Sequence, residues 1–208
     1  MIGSAPYCTE FAEWLVEKGH AVTVLSFRPH YPSPKDFAAW ADGTHDEEVH
    51  NGVRILRVAP VSSKRGFVAR LLNDARFMLH VARKGFDRSV FAADGLYGFV
   101  PSSLSLFGAR FLKMRSGAPL IGVVHDIESG LAGSLSISGG KITQWLIERV
   151  ERTALNLADE LVVLTPGMSR ALSERGCRSP VRVIPLWCKS SPQAPFPRDG
   201  ELVVAYSG

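Results

Sequence analysis

Ser4-Ala-Pro-Tyr-Cys-Thr-Glu-Phe-Ala-Glu-Trp-Leu-Val-Glu-Lys-Gly-His-Ala-Val-Thr-Val-Leu-Ser26 changes its hydrophobic period once, and that change decides the fold class. Cys8, Phe11, Ala12 and Leu15 recur at i, i+3, i+4 and i+7, while Glu10, Glu13, Glu17 and Lys18 fall on the other side. This spacing predicts an amphipathic helix. Ser4 is placed to cap it, Pro6 suits its first turn, and Gly19 ends it. The run from Ala21 to Ser26 then has the length and β-rich composition of a buried strand. Helix, glycine and strand in that order make half of an α/β repeat.

Outward from there the alternation continues. Val53 to Val58 reads as a strand, and Val68, Leu71, Leu72, Ala75 and Leu79 mark one apolar stripe of a helix from about Gly66 to Lys84. Ser89 to Ala93 reads as a weaker strand, followed by helix-like sequence after Pro101. Leu120 to Val124 is a strand, Gly140 to Asn156 a helix and Glu160 to Leu164 a strand. Gly167 to Glu174 is a helix and Val181 to Ile184 a last strand. Such alternation demands a mostly parallel, Rossmann-like sheet with helices on both faces. Between Phe27 and Asn51 the chain is long and irregular, with Pro29, Pro32 and Pro34 close together, and a loop of that length is often functional.

The boundaries follow from composition. Residues 1–189 form one lobe, 190–200 with Pro192, Pro195 and Pro197 read as a linker, and 201–208 read as the first strand of a second domain. A Gly-Ser turn entering a helix normally follows a strand, yet only Met1 and Ile2 precede Gly3. The expectation is a lobe lacking its first strand, in a chain incomplete at both ends.

The 208 residues are 46% hydrophobic, 21% charged and 9% aromatic, which is globular composition and excludes intrinsic disorder. A net charge of +4 favours phosphate-bearing or anionic-lipid partners but is too weak to argue for nucleic acid. Cys8, Cys177 and Cys188 stand far apart, which suits a reduced, cytoplasmic protein with buried thiols. No secretory leader is evident in Met1-Ile-Gly-Ser4. Leu96 to Met114 is broken by Pro101, Arg110 and Lys113, short of the roughly 20 uninterrupted apolar residues that a spanning helix needs. The helix bearing Arg65, Arg70, Arg76, Arg83 and Lys84 has two readings. Its apolar stripe faces the core with the arginines in water, which is the favoured one, or it lies on anionic membrane from the cytoplasmic side.

Chemistry is expected at strand ends. Val123-Val-His-Asp-Ile-Glu-Ser-Gly130 delivers His125, Asp126 and Glu128 to the C-terminal edge of the sheet, where open α/β sheets bind ligands. There an imidazole can donate to a sugar hydroxyl or stabilise developing charge, and a carboxylate can grip vicinal hydroxyls. The alternative is that His125 packs and Asp126 caps loop amides. Thr165, before Pro166, is placed to cap a helix at the same edge, with ligand contact as its second role. Gly3 and Ser4 offer free amides at a helix start, which suits a phosphate as well as plain capping. His30, His45 and His50 with Asp42, Asp46, Glu47 and Glu48 match no common ligand spacing and read as a solvated acidic loop, so neither a metal nor another cofactor is expected. The glycine fingerprint of dinucleotide-dependent oxidoreductases is missing, and no nucleophile elbow occurs.

Taken in order, these motifs resemble a known family. Ser4 to His20 followed by Val22-Thr-Val resembles the first helix and second strand of glycosyltransferase family 4. The nearest branch is that of colanic-acid-type exopolysaccharide enzymes, in which Pro29-His-Tyr-Pro32 has a counterpart. Val124-His-Asp126, Ala158-Asp-Glu-Leu-Val-Val-Leu-Thr-Pro-Gly-Met168 and Val183-Ile-Pro-Leu-Trp187 fall in the family's order. The resemblance implies the acceptor-side lobe of a two-lobed GT-B fold. It implies retaining transfer of a sugar from a nucleotide-sugar donor to a saccharide or lipid-linked saccharide acceptor. It puts Gly3 and Ser4 near donor phosphates and acceptor, and His125 against the transferred sugar. The family's nucleotide pocket lies in the C-terminal lobe, on whose first strand this sequence stops, and Leu186 stands where relatives carry asparagine. The expectation is an enzyme lobe inactive without its other half. The alternative is a non-catalytic remnant or acceptor-binding module.

Overall fold

The structure is a computed structural model that describes residues 5–30, 34–62, 66–100, 103–127 and 140–187. Gly3, Ser4, Arg65, Glu128, Cys188, the linker and the strand expected at 201–208 lie outside the described residues.

Helix α1 (Ala5–Glu17) ends where Gly19, at φ +88°, turns left-handed, a conformation glycine adopts without Cβ strain. Strand β1 (Thr23–Phe27) follows and pairs in parallel with β3 (Val53–Val58). Between them lie a 3-10 segment (Pro34–Trp40) and β2 (Glu47–His50), which runs antiparallel to β3. The segment expected to be irregular therefore contains a strand. Its cause is the dipeptide Asn51-Gly52, with φ of +49° and +79°, which closes a two-residue hairpin whose twist matches the flanking strands. The acidic residues there serve that hairpin and its surroundings. Asp46 accepts from Arg28 at 2.6 and 2.7 Å, Glu47 from Arg54 at 2.5 and 2.9 Å, and Glu48 from Arg57 at 2.6 Å.

Helix α2 (Phe67–Lys84) leads to α3 (Arg88–Phe91), β4 (Leu96–Val100) and α4 (Ser105–Ser116). Ser89 to Ala93 is thus mostly a short helix and not the strand its composition suggests. The Asp87 carboxylate accepts from the Ser89 amide at 3.0 Å and its hydroxyl at 2.7 Å, and this local cap captures the backbone. The strand begins only after Gly95. Then come β5 (Leu120–Val124), α5 (Gly140–Leu155), β6 (Glu160–Val163), α6 (Pro166–Glu174) and β7 (Val181–Val183). Strands β4-β5-β6-β7 form a four-stranded, wholly parallel sheet, separate from the three-stranded β1-β3-β2. The α/β, Rossmann-like class holds, divided between two sheets.

Alternation along the strands sorts the helices. Val100, Leu120, Val124, Leu161 and Val163 form a buried core with Leu106 of α4, Ala154 and Leu155 of α5 and Leu172 of α6. The other face of β4 presents Tyr97 and Phe99 to Phe11 of α1, with ring centroids 5.1 and 5.9 Å apart. Helix α1 also reaches the first sheet, where Glu13 accepts from the Asn51 amide group at 2.7 Å. A second cluster, Leu56, Val81, Val90 and Leu112, is shared by Leu25 of β1 and Leu96 of β4. The two sheets therefore share a core beside the edges β1 and β4, each of which, among the described residues, has a strand on one side only.

The stripe Val68, Leu71, Leu72 and Leu79, expected to face the core, is exposed. Helix α2 packs instead through Phe77, Met78 and Val81, because there α4 carries Gly108. A Cβ at Gly108 would sit 2.6 Å from the Met78 carbonyl oxygen and 3.1 Å from Val81 Cβ. Only a glycine lets these helices meet so closely, and that meeting selects the buried face. Gly108→Ala should destabilise the fold by about 1 kcal/mol, the balance of overpacking at ~1–3 kcal/mol against the ~1 kcal/mol that alanine gains in helix propensity. A lower urea midpoint at unchanged m-value is the expected readout, and an unchanged midpoint would show that the crossing is looser than drawn.

Candidate functional site

Strand β5 ends at Val124 and β6 at Val163, which are partners in register, so the residues just beyond them share the C-terminal edge of the sheet. His125 follows Val124 directly. It is half-buried and held between two rings: Phe99 of β4 at 5.9 Å and 79°, and Tyr7 of α1 at 6.3 Å and 72°. Tyr7 meets a third ring edge-on, Trp187, at 5.7 Å and 87°. The Trp187 indole donates to Glu10 at 2.9 Å and thereby ties the segment after β7 to α1. The start of α1 and the end of β4 meet the histidine at the end of β5, and the segment after β7 backs Tyr7.

Burial among these rings lowers the pKa of His125 against the smaller opposing pull of Asp126. The imidazole is therefore neutral at neutral pH, with one nitrogen to donate and one to accept. Asp126 is exposed and adjacent, and the loop whose amides it could cap runs into residues outside the described ones. Thr165 is the N-cap of α6, its hydroxyl accepting from the Met168 amide at 3.2 Å. That hydroxyl is committed to the helix, yet it stands at the same edge as His125. Gly3, Ser4 and Glu128 lie outside the described residues.

Tyr7 and Trp187 carry no marker in the sequence that would assign them to the site. Tyr7 is one residue in the first turn of a helix, and nothing local says which way that turn faces. Its place becomes legible once α1 starts at the C-terminal edge of the sheet.

A cavity of about 640 Å³ lies elsewhere, lined by Arg152, Asn156, Gly176, Cys177, Arg178 and Ser179. It opens where α5 ends and β7 begins, at the opposite edge from His125. Asn156 works there as a staple, accepting from the Arg178 amide at 2.6 Å and the Ser179 amide at 3.3 Å. We assign this cavity a structural origin.

The chain belongs to the glycosyl transferase 4-like domain family, which it matches over residues 3–187. It is also similar to WcaI of Escherichia coli (strain K12), a protein with a proposed role as a colanic acid biosynthesis glycosyl transferase. The two are 27% identical over 187 residues, covering 85% of this chain and 44% of the relative. The chain thus spans less than half the length of the curated relative it matches.

Proposed function

We propose that this chain is the acceptor-side lobe (residues 1–189) of a retaining glycosyltransferase acting in exopolysaccharide or cell-envelope polysaccharide synthesis. Residues 190–200 would link it to a donor-binding lobe that begins at 201–208. A sugar passes from a nucleotide-sugar donor to a hydroxyl of a saccharide or lipid-linked saccharide. The bond from the anomeric carbon to the leaving phosphate breaks, the bond to the acceptor oxygen forms, and the acceptor proton goes to a phosphate oxygen. The reading rests on the membership of the family and on the seating of His125 as a neutral ring at the edge where α/β sheets bind ligands.

In this reading the neutral imidazole donates to a hydroxyl of the transferred sugar as positive charge develops at its anomeric carbon. Tyr7 and Phe99 hold that ring, Trp187 backs Tyr7, and the three supply an aromatic wall on which a sugar face can lie. Asp126 and Glu128 grip hydroxyls, Gly3 and Ser4 meet phosphate or acceptor at the start of α1, and Thr165 lines the edge beside them. Among the described residues no helix is long and apolar enough to cross a membrane. Work at the inner face of the cell membrane, from the cytoplasm, fits a lipid-linked acceptor.

The test is hydrolysis and transfer of a panel of nucleotide-sugars by this chain beside a version extended through a C-terminal donor-binding half. Turnover by the extended form alone supports half of an enzyme. Silence from both, with both folded, overturns the transferase reading in favour of an acceptor-binding module.

A further inference from the structure

The helical layer of α2, α4 and α5 carries more exposed apolar surface than its packing explains. On α2 the open stripe is Val68 (68% exposed), Leu71, Leu72 and Leu79 (57%), opposite the packed Phe77 and Val81. On α5 it is Ile142 (76%), Trp145 (56%), Leu146 and Val150, opposite the buried Glu151, Ala154 and Leu155. Both helices pack against α4, and each stripe lies on the side of its helix away from the packed residues. Each is a helical stripe at i, i+3, i+4 spacing on the side a core would not claim.

Charge says what covers them. Together α2, α4 and α5 carry ten Lys and Arg against three Asp and Glu, whereas the whole chain nets only +4. The excess is concentrated on this layer, and the rest of the molecule is net acidic. Arg76 and Arg83 are exposed and flank the α2 stripe, Arg149 lies over the Trp145 ring at 5.6 Å, and Arg115 lies over the exposed Phe86 ring at 5.8 Å. An apolar stripe rimmed by arginine, with a tryptophan among its exposed residues, is the pattern of a helix lying in a membrane interface. A second copy docked symmetrically would set like charge against like charge, which disfavours that occupant.

We propose that this layer docks on an anionic bilayer surface through the α2 and α5 stripes, with the arginine rim on lipid phosphates. The docking names the surface behind the membrane-side location proposed above, yet vesicle binding is read without donor or acceptor. Its failure therefore leaves the transfer reading standing, and failed transfer leaves the docking intact.

The experiment is co-sedimentation of the 208-residue chain with phosphatidylcholine vesicles, with and without about one-third phosphatidylglycerol. Binding should be at least about tenfold tighter on the anionic vesicles and should weaken as salt rises. Leu72→Glu with Leu79→Glu should lower it roughly tenfold or more, since both side chains leave the apolar boundary and add opposing charge. Arg76→Gln and Arg83→Gln should each cost up to about fivefold. All four positions are exposed, so circular dichroism should show each variant folded. Equal binding to neutral and anionic vesicles, or none to either, overturns the proposal. So does a concentration-dependent dimer that the double glutamate variant abolishes, which would give the stripes to a second copy.

Discussion

Replacing His125 by Ala, in a polypeptide that joins this lobe to a donor-binding half, should lower kcat by about 100- to 1000-fold with the fold intact. That is the loss expected when one positioned donor disappears from beside a developing charge. The half-buried ring has no hydrogen bond of its own among the described residues, so its removal breaks no internal network. It gives up edge contacts with Tyr7 and Phe99, worth about 0.5–1.5 kcal/mol each where the partner is aromatic, and the protein should stay folded. His125→Gln, which keeps an N–H donor, should recover part of kcat. A merely structural ring would instead show a changed Tm and unchanged turnover, and near-normal turnover in the alanine variant would remove His125 from the site.

The pH dependence carries a second signature. Burial holds the folded-state pKa of His125 below its ordinary value, so between the two the unfolded chain binds the extra proton. Stability is then highest above about pH 6.5 and falls as the pH drops through that region. His80, whose pKa is also lowered by burial, contributes in the same direction. Thermal melts of the alanine variant should show a shallower loss between neutral and mildly acidic pH, with the His80 share remaining.

The parallel strands were legible because their signal is local. Leu120 to Val124 is a short apolar run and Val53 to Val58 a β-branched, aliphatic one carrying two arginines, and both fold with those limits. Where two local signals compete, composition misleads. The β-branched and aromatic content of Ser89 to Phe91 loses to one carboxylate, Asp87, which caps them as a helix. The hairpin signal Asn51-Gly52 was present, but the prolines before it made the whole segment look irregular.

Non-local facts were illegible for a different reason. The α2 stripe has a perfect helical period, and a period tells that one face is apolar without telling which face is buried. That was decided by Gly108, on a helix more than twenty residues further along, through a backbone contact that no pattern in α2 records. His125 could be placed at a strand end from sequence, but its neutral state depends on Tyr7, distant in sequence, and on Phe99 of the neighbouring strand.

Joining an apolar five-residue strand ahead of Met1 should raise Tm by roughly 10 °C. The edges β1 and β4 share one core, and α1 bridges both sheets on one side while α2 and α4 pack together on the other. Tyr7 beside His125 puts the start of α1 at the C-terminal edge of the strands. A strand parallel to β4 would end at that edge and pass into α1, with β1 returning beside it as a right-handed crossover. Apolar burial on both faces and ladder bonds to two edges outweigh the cost of fixing five residues of backbone. The rise corresponds to a net gain of about 3 kcal/mol, at about 2–4 °C per kcal/mol for a chain of this size. The same five positions filled with alternating Lys and Glu should give no rise, because both faces of the added strand would meet apolar side chains. If the apolar strand also leaves Tm unchanged, β1 and β4 do not border an open slot, and the two sheets are complete as they stand.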